Sequence, residues 1–155
     1  MYKISPIKKQ EIGYPGLYDI INKHSKVKVV VGYEHKMHDH KMSIEEAIVR
    51  AVELKRFRTL LAALGLFNKV KNWNGLYKFA KKYNVERKIG ALYDVARQTM
   101  KVRKIDKRTR NALLSIDIKD KYIIDRLKTK DFKDIEKEWG VYVPFNKADL
   151  EAYKE

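Results

Sequence analysis

The 155-residue chain has no cysteine, only two glutamines, three prolines and seven glycines. Without cysteine there is no disulfide framework, no thiolate zinc site and no cysteine nucleophile, so any metal would fall to histidine and carboxylates. No apolar run approaches the roughly 18 residues of a membrane span, and the opening "MYKISPIKKQEIGYPG" lacks the apolar core of a signal peptide. A cytoplasmic protein with no membrane partner is expected. Scarce glutamine beside abundant lysine suits a thermophile. A Gly-rich phosphate loop, a nucleophile elbow, an HExxH helix and a DxD pair are also missing. No catalytic residue and no cofactor are therefore implied.

What is present is a foldable, strongly basic chain. Hydrophobic residues make up 45% and aromatics 11%, more than a disordered chain carries, and the length suits one domain over residues 1–155. The net charge of +15 is uneven: residues 69–110 hold 14 basic and 3 acidic groups, whereas 111–155 hold 9 and 10. A general solubilising charge would be spread along the chain. This excess points to one basic surface.

Along the chain, a short helix is expected within residues 1–26, where Leu17, Ile20 and Ile21 fall on one side. The β-branched run "KVKVVVGY" at residues 26–33 reads as a strand. Ser43 then caps a helix, with Glu46 at the position that completes a capping box, and Ile44, Ala47, Ile48, Ala51 and Val52 share its buried face. Phe57, Leu60, Leu61 and Leu64 mark a second helix. Leu76, Phe79, Ala80 and Tyr83, then Ile89, Leu92, Tyr93, Ala96 and Met100, mark two more that form an αα-hairpin. Asp106 is expected to cap a further helix and Asn146 a terminal one, with a second strand at "WGVYVPF", residues 139–145. The expected class is α+β, mostly helical with two short strand regions and no membrane segment.

Between that first strand and Ser43, "YEHKMHDHK" holds three of the four histidines. The segment reads as a polar, solvated connection. The alternative is a metal site built on His35, His38 and His40, although neither a helix nor an extended chain aligns all three. Asp117, Asp120 and Asp125 read as a solvated face paired with neighbouring lysines and arginines, or as carboxylates of a metal-dependent nuclease.

The basic centre carries the main functional expectation. Lys78, Lys81, Lys82, Arg87, Lys88, Arg97, Lys101, Arg103, Lys104, Lys107, Arg108 and Arg110 are the candidate nucleic-acid-binding residues. Clustered cations bind DNA or RNA largely by releasing condensed counterions. Arg103, Arg108 and Arg110 suit bidentate phosphate contacts, and Trp73 and Tyr77 are either stacking platforms or core. A non-enzymatic nucleic-acid-binding protein is thus expected, and the alternative is a module that binds an acidic protein.

The order of "VVVGY", "MSIEEAIVRAV", "LYKFAKKYNVERKIGALYDVARQ" and "WGVYVPFNKADLEAY" over residues 27–150 resembles the C-terminal domain of the abortive-infection AbiEi antitoxins. That resemblance implies a transcriptional regulator with a positive DNA-facing surface and a nucleotidyltransferase-like toxin as partner. On this chain it maps onto Lys81, Lys82, Arg87, Lys88, Arg97, Arg103 and Lys104. The family places a winged helix-turn-helix ahead of this domain, whereas about 26 residues precede the first expected strand here. A diverged or stand-alone relative is expected.

Overall fold

The computed structural model describes residues 13–31, 36, 37 and 39–154. Seven α-helices are present among them: α1 (Leu17–His24), α2 (Ile44–Leu54), α3 (Phe57–Ala63), α4 (Trp73–Lys82), α5 (Glu86–Thr99), α6 (Lys107–Leu114) and α7 (Lys133–Trp139). Two 3₁₀ segments, Leu64–Lys69 and Lys147–Tyr153, extend α3 and end the described chain. No described helix is long and apolar enough to cross a membrane.

Local chemistry sets several of the helix starts. Ser43 Oγ accepts the Glu46 N–H at 3.0 Å, Asn72 Oδ1 accepts the Gly75 N–H at 2.9 Å, and Asp106 accepts the Thr109 N–H at 2.9 Å. Each satisfies a donor that the first helical turn leaves free. Asn146 and Asp149 form a reciprocal capping box on the last 3₁₀ segment. The box expected at Ser43 is only half made, because the Glu46 carboxylate turns to His40 instead.

Helix α5 is the centre of the packing. It runs against α2, α4, α6, α7 and the Leu64–Lys69 segment, and Ile89, Ala91, Val95 and Ala96 are fully buried. One hydrophobic cluster runs from Ile20 to Tyr153 through every helix. Trp139 closes it at the end of α7. Its ring lies over Gly90, where a Cβ would come within 2.1 Å of the ring, and its Nε1 donates to Asp94 at 2.7 Å. Gly140, at φ 72°, then turns the chain out of α7 in the left-handed conformation that glycine adopts without steric cost.

The expected α+β class is overturned: the described residues contain no strand and no sheet, only two isolated bridges, Tyr14 with Met37 and Tyr122 with Tyr142. In the described part of both runs most hydrogen-bond partners are side chains, apart from the Tyr142 N–H, which donates to the Lys121 carbonyl at 2.6 Å, and the second run begins with the last residue of α7, Trp139. At the first, Asn22 brackets Val29, donating to its carbonyl at 2.9 Å and accepting its N–H at 2.8 Å. Val27 and Val29 point inward while Val30 is 97% exposed, the alternation that mimics a strand in sequence. At the second, Val141, Val143 and Phe145 are buried, the Val143 N–H donates to Glu136, and the carbonyls of Val143 and Phe145 accept from Thr129. Period-two burial needs only a core on one side. A sheet also needs a second extended backbone within hydrogen-bonding distance along several residues, and here that contact is limited to the single Tyr122–Tyr142 bridge while side chains take the other places.

Candidate polyanion-binding surface

Eleven of the twelve candidate cations fall into two groups, with Arg103 between them. Three are built into the fold. Lys88 is 6% exposed and pairs with Asp120 at 3.0 Å. Arg87 donates to the carbonyls of Ile116 and Trp139, closing the C-terminal end of α7. Arg110 grips Asp94 with two parallel bonds of 3.0 and 2.9 Å, reaches Glu138 at 2.8 Å and lies 5.0 Å from the Trp139 ring. These carboxylates hold the Arg110 guanidinium above its ordinary pKa. Its charge is neutralised before any ligand arrives.

Arg103 is intermediate in role: exposed, yet it donates to the carbonyls of Val70 and Lys71 and straps the α5–α6 linker to the start of α4. Lys78, Lys81, Lys82, Arg97, Lys101, Lys104, Lys107 and Arg108 are exposed. Among the described residues none of these eight forms an ion pair, although Lys82 lies 5.6 Å from the Tyr83 ring.

Three clefts bring part of this second group together with cations from elsewhere. The middle cleft, about 480 Å³, is walled by His24 and Lys26 after α1, Asn68 of the first 3₁₀ segment, and Arg97, Gln98 and Lys101 at the end of α5. Among the described residues, no carboxylate lines it. A second cleft shares Arg97 and Gln98 and adds Lys104, Lys107 and Arg110, set against Asp94, Asp134 and Glu138. A third shares His24 and adds Lys23, Lys41, Lys69 and Lys71, set against Asp19 and Glu45. Arg97 and Gln98 line both the first and the second cleft, and His24 lines both the first and the third.

Two titrating groups report on that middle cleft. Burial, and then the neighbouring Lys23 and Lys69, hold His24 below its ordinary pKa. Burial pushes the Tyr153 phenol up to about 12, so this wall group stays neutral. Its hydroxyl is engaged with the carbonyls of Leu61 and Ala62 and with the Gly65 N–H.

The pattern of basic residues along the sequence missed Lys23, His24, Lys26 and Lys41, which come from segments far from residues 69–110, and the neutral Asn68 just ahead of them. Lys78, Lys81, Lys82, Arg103 and Arg108 line none of the three clefts. Trp73 is buried against Tyr93, ring centroids 5.3 Å apart, and is a core residue, not a stacking platform.

His35 and His38 lie outside the described residues. His40 Nε2 is within 2.9 and 3.1 Å of the two Glu46 carboxylate oxygens, and Nδ1 is 3.3 Å from Asp39. No three His, Cys, Asp or Glu side chains among the described residues converge as metal ligands. Asp120 and Asp125 each lie within 4 Å of Lys55.

The bond to Glu46 and the Glu46 charge raise the His40 pKa above its ordinary value. A raised folded-state value makes the pair stabilising below about pH 6.5, and that contribution fades as pH rises through the folded value. An NMR titration of His40 should therefore give a midpoint above the ordinary one, and Glu46→Gln should return it. An ordinary midpoint in the parent protein would mean the pair is not formed.

No protein-family model matches the chain, and no curated protein and no solved structure matches it.

Proposed function

We propose that this protein binds nucleic acid, without catalysing its turnover, through the three joined clefts. The observation that carries the reading is their shared construction: exposed cations from the end of α5, the α5–α6 linker and the start of α6, and lysines from three upstream segments, line clefts that share Arg97, Gln98 and His24. A polyphosphate backbone needs cations in series with few carboxylates among them, and a groove of this kind tracks a strand without reading its sequence. The antitoxin-like role implied by the AbiEi resemblance is the narrower form of the proposal. It requires preference for duplex DNA.

Fluorescence anisotropy with labelled duplex DNA, single-stranded DNA and RNA at several salt concentrations tests this. Binding should weaken steeply with salt. Arg97→Gln, Lys101→Gln, Lys104→Gln and Lys107→Gln combined should flatten the log–log slope by about 3, at 0.7–0.9 per phosphate contact. Lys78→Gln, Lys81→Gln and Lys82→Gln combined, on α4 and outside the clefts, should leave it nearly unchanged. Equal effects of the two sets would replace the groove with a diffuse basic surface. No binding at low salt would remove the proposal and direct attention to an acidic protein partner.

A further inference from the structure

We propose that the second cleft, lined by α5, the α5–α6 linker, α6 and α7, seats one guanine base of a single strand, with Asp134 accepting the N–H groups of its Watson–Crick edge. The inference rests on the nucleic-acid reading and adds one point of base recognition to a groove that otherwise follows the backbone.

The cleft holds two kinds of charge, suited to different parts of a nucleotide. Arg97, Lys104 and Lys107 line it and form no ion pair among the described residues. They suit the phosphates on either side of a base. Asp94 and Glu138 are committed to Arg110 through bonds of 3.0, 2.9 and 2.8 Å. Asp134 stands one turn before Glu138 on the same face of α7, lines the same cleft, and has no hydrogen bond or ion pair among the described residues. Both of its oxygens are open to a donor.

A phosphate backbone brings no donor, and its charge repels this carboxylate. A base edge does bring donors. An ionised carboxylate only accepts hydrogen bonds, and it binds best to two N–H groups side by side, as it does with arginine. Guanine presents such a pair in its N1–H and 2-amino group. Adenine and cytosine set one amino group beside a ring acceptor, and thymine and uracil set one N–H between two carbonyls. Those acceptors would face the carboxylate unfavourably. In a duplex the guanine edge is taken up by its own base pair, so the cleft can read it only from a single strand.

Size and lining agree with this. About 780 Å³ falls within the roughly 300–1,000 Å³ of small-ligand sites, room for a base with its sugar. The buried side chains of Tyr93, Ile105 and Ile135 line the same cleft and give the base an apolar surface to lie against.

The test is fluorescence anisotropy on the full chain with short single strands of thymidine, in which one central position is thymidine, guanosine, inosine or adenosine. The strands are made as DNA and as RNA, with uridine for thymidine. In at least one of the two forms the guanosine strand should bind about tenfold tighter than the parent strand, a modest value for a paired contact to a base. Inosine, which lacks the 2-amino group, should lose most of that gain, and this comparison needs no altered protein. Asp134→Asn should erase the guanine preference. Loss of one repelling charge alone would raise the affinity of every strand in proportion and leave their ratio untouched. Asp134 is exposed, so a normal thermal melt is expected of the variant.

Equal binding of all four strands, equal binding of guanosine and inosine, or a guanine preference that survives Asp134→Asn overturns the seat and leaves the nucleic-acid reading standing. Failure of every strand and of duplex DNA to bind at low salt overturns both.

Discussion

Replacing Gly90 with alanine is expected to destabilise the protein by about 3 kcal/mol, opposite in sign to what helix propensity gives. Gly90 lies inside α5, and at an unconstrained helical site alanine would be favoured by about 1 kcal/mol. Here the new Cβ would stand 2.1, 2.2 and 2.5 Å from three atoms of the Trp139 ring. That ring is fully buried and its Nε1 is tethered to Asp94, so it cannot swing aside without breaking a charge-assisted hydrogen bond. Helix α7 must shift as a body or the ring must leave its rotamer. Either cost lies at the upper end of the usual 1–3 kcal/mol for overpacking, and it exceeds the propensity gain.

At roughly 2–4 °C per kcal/mol for a chain of this size, the thermal midpoint should fall by roughly 6–12 °C. Gly75→Ala in α4 is the control, since its Cβ meets only the side chain of the capping Asn72. A Gly90→Ala melting temperature at or above the parent's would show that the ring does not sit on Gly90.

Asp94→Ala is expected to cost about as much, by a different route. One carboxylate serves three bonds, two from Arg110 and one from Trp139. Its loss strands a buried indole donor, about 1–3 kcal/mol, and removes the paired hydrogen bonds of a guanidinium. A fully buried pair broken this way loses about 3–5 kcal/mol. The Asp94 and Arg110 side chains are 18% and 25% exposed and Arg110 keeps Glu138, so about 3 kcal/mol is the expected figure.

Asp94→Asn should cost less, because an amide oxygen can still accept one donor. The same change removes one of three carboxylates from the cleft holding Lys104 and Lys107. Nucleic-acid affinity at low salt should then rise several-fold while stability falls. Denaturant unfolding and anisotropy on the same preparation check both signs. Parallel loss of stability and affinity would mean that the cleft does not face the ligand.

This network shows where reading along the chain stops. Seven of fourteen residues between Arg97 and Arg110 are basic, and nothing in their spacing separates Arg110, gripped by Asp94, from Arg108, which is exposed. The partner of Lys88 lies 32 positions away and one acceptor of Arg87 lies 52 away. Capping, by contrast, is a three-residue event. Ser43, Asp106 and Asn146 were all legible because each side chain satisfies a backbone N–H three positions on. The Ser43 box failed at its second half because His40, six positions before Glu46 and outside the three-residue capping pattern, competes for its carboxylate.

Composition and local pattern alone determined that the chain folds, that it is largely helical, where several helices begin, and that a positive excess centres on residues 69–110. These follow from short-range backbone chemistry and from counting. Only the tertiary structure decided that the described parts of the two β-like runs pair mostly with side chains and form no sheet. It likewise decided that Lys88, Arg87 and Arg110 serve the fold, and that Arg97 and Lys101 meet His24, Lys26 and Asn68 around one cleft. The physical reason is one and the same. Hydrogen bonds and charges act over a few ångströms in space, so the partner that sets each side chain's role is found only once packing around α5 brings distant segments within that range.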